Sequence, residues 1–407
     1  MTGADVNSPV SGSAEMELAR VVRDHAGRLA AALVSLLGDF AAAEDLVADA
    51  VLAALERWPV EGVPERPDAW LFTVARRRGM DVLRRQARYQ DKLAQLRWPV
   101  TPEPGNRLRL IFTCCHPALP RESRIALTLR VVCGLTTAQI ASAFLVREST
   151  VAQRITRAKR KITDAGIPYR IPAADELGER LGEVLAVVYL LFNEGYLASG
   201  SDVAEHRDLT EDAEWLAGLL DGLMPTEPEV TGLLALIRLH RARAAARFDG
   251  EGNLIRLSDQ DRGRWDHEAI AGATRLLTRA ALHRRPGPYQ LQAAIVACHA
   301  EAKTWADTDW PQIVILYDLL LARAPSPVTR LHRAIALRQV AGAEVALTEL
   351  VAVAGPLDRY HLFHATRAEL LRELGHPAQA RAADRRALEL TSNPAEQAVL
   401  RRRLHNS

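Results

Sequence analysis

The sequence predicts an all-α protein, and three observations carry that expectation. Apolar residues recur at helical rather than alternating spacing. Aromatics make up only 5% of the chain, and no alternating β-branched run marks a strand. Prolines and glycines fall between the periodic stretches, where they punctuate helices. At 407 residues the chain is long enough for about two to four domains.

The first 14 residues, MTGADVNSPVSGSA, are polar and are expected to be disordered. In DFAAAEDLVADAVLAALERW the residues Leu46, Ala50, Ala54 and Trp58, with Val47, Val51 and Leu55 beside them, line one side of a helix. Glu44, Asp45, Asp49 and Glu56 make the rest acidic. A loop from Pro59 to Pro67 follows, then a basic helix, AWLFTVARRRGMDVLRRQAR, with Arg76, Arg77, Arg78, Arg84, Arg85 and Arg88 against Asp81. Taken alone, such a pair of helices reads equally well as two solvated faces.

Residues 90–106, QDKLAQLRWPVTPEPGN, hold three prolines and a glycine and read as a linker. The TCCHP that begins at Thr113 lacks metal-ligand spacing, so its cysteines are expected as small buried residues at a helix end. From Leu119 to Ile162 the apolar residues come in three bursts: Ile125 to Val132, Ile140 to Phe144, and Val151, Ile155, Ala158, Ile162. That is a three-helix unit, with Thr136 or Thr137 capping the second helix and a turn of helix-turn-helix length over 145–147. Between Arg121 and Ile162 nine Lys or Arg face two acids. With Val151, Ile155 and Ile162 turned to a core, Gln153, Arg154 and Arg157 are left to enter a major groove. A solvated basic face has the same composition.

The string LTTAQIASAFLVRESTVAQRITRAKRKI resembles the region with which extracytoplasmic-function sigma factors of the sigma-70 family read the −35 promoter element. The matching positions are Leu135, Ile140, Ala141, Val146, Glu148, Thr150, Val151, Arg154, Ile155, Arg157 and Ala158. Leu145 stands where the family usually has a turn glycine, and Arg147 where a small polar residue is common. The resemblance implies duplex contacts from Ser149, Thr150, Gln153, Arg154, Arg157 and Lys161, with Gln153 as base reader. It also implies that the acidic helix, through Asp45, Asp49, Glu56 and Trp58, docks on core RNA polymerase. The basic helix would then bind and melt the −10 element through Trp70, Arg76, Arg77, Arg84 and Arg85. An asparagine common seven residues after the tryptophan is replaced by Arg77.

Beyond 167 the chain exceeds a minimal sigma factor. LGEVLAVVYLLFNEGYLASG starts as an apolar helix and is expected to end at Asn193, Glu194, Gly195 and Tyr196, where Asn193, Glu194 and Tyr196 offer a polar floor for a ligand or partner. The segment 200–229 carries nine acids and one arginine, a stretch suited either to shielding the basic modules or to plain solvation. Asp259, Asp261, Arg262 and Asp266 are out of register for calcium and are expected to hold a loop by local bonds. RAIALRQV from Arg333 and RAELLREL from Arg367 match at a 34-residue offset, with Ala346 paired to Ala380. That is the period of tetratricopeptide helix pairs. The whole C-terminal part also resembles the extension of one subgroup of these sigma factors.

The expected organisation is therefore 1–14 disordered, 15–89 sigma region 2, 90–106 linker, 107–166 sigma region 4, 167–285 helical extension and 286–407 tetratricopeptide-like repeats. No phosphate-cradling glycine loop, H-E-x-x-H or nucleophile elbow occurs, so no catalytic residue, cofactor or metal is expected. Net charge is +2 and the four cysteines include an adjacent pair, which suits a reduced cytoplasm. The function expected is a promoter-specific initiation factor with core RNA polymerase and promoter DNA as partners, and a further protein or ligand partner on the extension. A helix-turn-helix regulator acting without polymerase, or a ligand- or protein-binding scaffold, is the alternative.

Overall fold

The computed structural model describes residues 18, 20–22, 29–30, 32–34, 40–85, 104–144, 146–198, 209–250, 253–391 and 393–405. The expected disordered N-terminus lies outside them, as does the linker apart from its last three residues. The fold is all-α: the sole β pairing among the described residues is an isolated antiparallel bridge between Phe248 and Leu254. No helix among them is long and apolar enough to cross a membrane. The chain forms two compact units, Met1–Glu194 with Glu205–Asp212, and Gly195–Ala204 with Ala213–Ser407.

In the first unit, α1 (Phe40–Glu61) packs on α2 (Pro67–Arg85). Leu46, Val47, Ala50, Ala53, Ala54 and Trp58 form the buried stripe of α1. The helix does not stop at Trp58 but runs through Pro59 to Glu61. Only the last turn loses a bond to the missing proline N–H there, so the helix survives. Gly62 then closes it with φ +85°, its N–H reaching the Trp58 carbonyl at 3.0 Å.

Four helices follow: α3 (Pro104–Cys114), α4 (Arg121–Val131), α5 (Thr137–Ala143) and α6 (Glu148–Asp164). The small residues Thr113, Cys114, Cys115 and Cys133 are buried, with Cys115 Sγ 3.5 Å from Thr128 Oγ1. Burial pushes the Cys115 thiol up to about 11. α7 (Ala174–Ala198) begins in this unit. Its Arg180 donates to the Phe112 carbonyl at 2.8 Å, and its Glu183 pairs with Arg124. The start of the extension is thus structurally part of the module before it.

The second unit holds α8 (Leu209–Leu223) from Ala213 onward, α9 (Pro228–Arg241), α10 (His267–Ala281), α11 (Pro288–Glu301), α12 (Trp310–Arg323), α13 (Pro327–Val351), α14 (Ala354–Leu357), α15 (His361–Glu373), α16 (Pro377–Leu390) and α17 (Pro394–His405). α9 is its central helix, packed on both α10 and α11. Gly232 permits that approach, because a Cβ there would lie 2.6 Å from Gln290 Cγ and 2.8 Å from the Gln290 amide nitrogen.

The acids of 209–229 are largely spent inside this unit. Glu214 pairs with Arg238 at 2.9 Å and with Arg241. Asp221 takes Arg279 at 2.5 Å. Glu229 accepts the N–H groups of Tyr289 at 2.9 Å and Gln290 at 3.1 Å, a carboxylate on the N-terminus of α11. Asp202, Glu205 and Asp208 lie outside the described residues. The loop acids also act locally as expected: Asp259 takes Arg256 at 2.8 Å, Asp261 the Gly263 N–H at 2.9 Å, and Asp266 caps α10 through the Ala269 N–H at 2.9 Å.

The last helices carry the 34-residue period into space. Helices start at Pro327 and His361; Gly342 at φ +86° breaks α13 internally, and Gly375 at φ +78° follows α15. Ala334 and Ala368, and Ala346 and Ala380, are buried at matching positions. Asp384, wholly buried, is held by Arg372 at 2.5 Å.

Gly232→Ala is expected to lower stability by about 1–3 kcal/mol, since the added methyl meets backbone rather than a movable side-chain end. Urea denaturation of the full chain reads this, and an unchanged midpoint would show that the α9–α11 contact is slack.

Candidate nucleic-acid interface

α6 is two-sided by construction. Val151, Ile155, Ala158 and Ile162 are buried, at the i, i+4, i+7, i+11 spacing of a helical stripe, and the helix packs on α4 and α5. The stripe turns the other side outward: Ser149, Gln153, Arg157 and Lys161 are exposed, and Thr150 and Arg154 half-exposed. Arg154, Arg157 and Lys161 form no ion pair with a described residue, whereas Arg160 is taken by Asp164 at 3.2 Å.

The start of α5 is set by side chains. Thr136 Oγ1 accepts the Gln139 N–H at 3.1 Å while Gln139 Oε1 accepts the Thr136 N–H at 2.9 Å, a reciprocal capping box that makes Thr136 the cap of α5. Thr137 instead donates to Glu148 at 2.8 Å, tying α5 to the start of α6. Arg147 is the N-cap of α6 and supplies no side-chain cap. Leu145, in the turn, lies outside the described residues.

On α2, Arg76 and Arg77 are exposed and Trp70 half-buried. Arg84 and Arg85 occupy the final turn of the helix, and their side chains lie outside the described part. The Trp70 ring meets Trp58 edge-on, with centroids 5.6 Å apart and planes at 68°. On α1, Asp45 and Glu56 are exposed, and Asp49 pairs with Arg78 at 3.0 Å.

Trp58 requires a correction. It is 2% exposed, so its ring locks α1 to α2 and is not presented to a partner. Its position in the stripe, eight residues after Ala50 and four after Ala54, puts it at the centre of the contact. Leu55 falls past the edge of that stripe and is 45% exposed, beside Leu52 at 57%. The outward face of α1 is therefore acidic and apolar together.

α7 does not end at Asn193 but continues through Gly195 to Ala198. Asn193 is half-buried and Glu194 exposed. Tyr196 is engaged within the second unit: the Arg247 guanidinium lies 3.5 Å from its ring centroid, Arg247 donates to its carbonyl at 2.8 Å, and the His240 ring stands 5.2 Å away edge-on. Sequence reading missed the group that follows, Arg243, Arg247, Arg262, Trp265 and His299. These residues come from separate segments, and no spacing rule links them. Burial and the nearby Arg243 and Arg262 push His299 down to about 4, and burial with Arg243, Arg247 and His299 pushes His240 well below its ordinary value.

Trp58→Ala is expected to cost about 3–5 kcal/mol by thermal or urea denaturation, while Leu52→Ala and Leu55→Ala stay within about 0.5 kcal/mol. Equal effects would mean that the exposed leucines also carry packing. Because His299 is protonated more readily unfolded than folded, the stability it contributes is intact above about pH 6.5 and lost as pH falls toward 4. The loss is about 3 kcal/mol from this residue. Urea midpoints measured between pH 7 and 4 check this, with a shallower decline expected for His299→Gln.

Family models bear on the same helices. Residues 21–89 match the model described as Sigma-70 region 2, and residues 109–162 the model described as Sigma-70, region 4. Residues 180–281 match a family of unknown function, DUF6596. A Rhizobium meliloti (strain 1021) protein named only "Uncharacterized protein R00370" is 43% identical over 376 residues, 89% of either chain. The ECF RNA polymerase sigma factor SigL of Mycobacterium tuberculosis is 35% identical over 164 residues, 38% of this chain and 92% of SigL. No solved structure matches. With both sigma regions present and nearly the whole of SigL spanned, the chain belongs to the extracytoplasmic-function sigma factors of the sigma-70 family.

Proposed function

We propose that this sigma factor joins core RNA polymerase through the outward face of α1, with Asp45, Asp49 and Glu56 beside exposed Leu52 and Leu55, and directs initiation at promoters it reads twice. α2 holds the melted −10 strand, its Arg76, Arg77, Arg84 and Arg85 tracking phosphates and Trp70 bordering an unstacked base. α6 enters the major groove at the −35 element with Ser149, Thr150, Gln153, Arg154, Arg157 and Lys161. The work is cytoplasmic, and the tetratricopeptide-like helices regulate it by binding a protein or ligand.

The observation that carries this reading is the two-sidedness of α6. Its apolar stripe is buried and its arginines 154 and 157, with Lys161, face outward without an acid partner among the described residues. An amide at Gln153 suits the paired acceptor and donor of adenine. Trp58 acts here as a positioning residue, since it sets the angle between α1 and α2.

Run-off transcription with purified core polymerase tests the proposal, because a helix-turn-helix regulator yields no transcript without another initiation factor. Arg157→Ala is expected to weaken promoter binding similarly across sequences and to reduce the salt slope by about 1. Gln153→Ala is expected to cost about 1–3 kcal/mol and to relax preference at one −35 base pair. Promoter preference unchanged in Gln153→Ala removes that residue as base reader. Absence of transcripts with core enzyme removes the proposal.

A further inference from the structure

A second concentration of positive charge lies in the second unit, within and beside the segment that matches a family of unknown function. It is built differently from the promoter-facing helices, because one of its cations, Arg243, is buried and the other, Arg262, is half-buried. Arg243 is 7% exposed. Its Nη2 lies 3.0 Å from His240 Nδ1, and its Nε has no partner among the described residues. Arg262 uses Nη1 on the carbonyls of His299 at 2.5 Å and Ala302 at 2.7 Å, and leaves a buried Nη2 without one.

Both guanidiniums lie against Trp265, at 4.6 Å for Arg262 and 5.8 Å for Arg243 from the ring centroid. The Trp265 Nε1 and His299 Nδ1 are likewise buried without a partner. The acid whose charge acts on Arg262 is Asp307, which is itself bonded to the Thr304 N–H at 3.1 Å and hydroxyl at 2.8 Å. Beyond His299 stand Trp305, stacked at 6.0 Å and 12°, and Trp310, edge-on at 5.1 Å.

A guanidinium removed from water and denied a carboxylate is costly, and so is a buried N–H with nothing to receive it. Here the buried Arg243 and the half-buried Arg262 lie against one indole, whose own Nε1 and the His299 Nδ1 are buried without a partner among the described residues. An oxyanion satisfies this set: it supplies the missing charge and accepts several N–H donors at once. The surrounding rings suit a ligand with a flat apolar body behind the charged group.

We propose that Arg243 and Arg262, both against Trp265, together with His299 beside Arg262, form a binding site for a small organic anion, a carboxylate or a phosphate monoester. The site is independent of the promoter-reading assignment, and its test needs neither polymerase nor DNA.

The full chain is titrated with benzoate, phenyl phosphate and inorganic phosphate while tryptophan fluorescence and the thermal midpoint are recorded. A saturable fluorescence change with benzoate or phenyl phosphate, accompanied by a rising midpoint, is expected, and the preferred probe tells carboxylate from phosphate. Inorganic phosphate alone saturating would keep the anion site and remove the flat body from the ligand. Arg262→Gln is expected to weaken binding at least tenfold, and Leu282→Ala, at an exposed position, to leave it unchanged. Trp265→Phe keeps the ring and removes one donor, so a severalfold weakening there carries the test if the arginine variant does not fold. No saturation by any probe up to about 10 mM, or equal affinity in the parent, Arg262→Gln and Trp265→Phe, would show that water serves these donors and overturn the site.

Discussion

Burial of Val151, Ile155, Ala158 and Ile162 along one side of α6 is the constraint on which the orientation of that helix, and the proposed DNA contact, depends. Each branched aliphatic taken from water is worth about 1.5–3 kcal/mol, against at most about 1 kcal/mol for an exposed ion pair. Orientation is therefore decided by the stripe, and the outward placement of Gln153, Arg157 and Lys161 follows from it. The Thr136–Gln139 capping box and the Thr137–Glu148 bond fix where α5 begins and how it meets α6.

The same economy appears at α1. Trp58 and Trp70 meet edge-on inside the contact, so the acidic and apolar residues that remain outside are those the packing leaves over. One helix face holds the fold, and the opposite face is available to a partner. That division explains why a residue first assigned to polymerase contact proves to be interior.

Arginine serves three separate purposes in this chain. Arg238, Arg241, Arg279 and Arg372 neutralise acids inside the second unit. Arg154 and Arg157 are left without acids among the described residues on an outward helix face. Arg243, buried, and Arg262, half-buried, lie against an indole with buried donors unspent among the described residues. The near-zero net charge of +2 conceals all three, because the balance is struck locally, and locally it differs in sign and purpose.

Helix content, the order of the acidic, basic and helix-turn-helix segments, and the 34-residue repeat were legible in the sequence, because each rests on local periodicity and on caps a few residues away. The outward side of α6 was legible for the same reason, since its buried stripe recurs within a single helix. Leu55, Trp58 and the run of α7 past Asn193 were not. Whether a residue at the margin of a stripe is covered depends on the helix laid against it, and periodicity carries no information about that neighbour. Nor could spacing reveal Arg243, Arg262, Trp265 and His299, which are distant along the chain and meet only when α9, α11 and the turns between α9 and α10 close on one another. Short-range patterning determined which helices form and which side of α6 faces outward. Only tertiary packing decided which marginal residues are interior and which scattered cations share one place, because desolvation depends on what lies nearby in space.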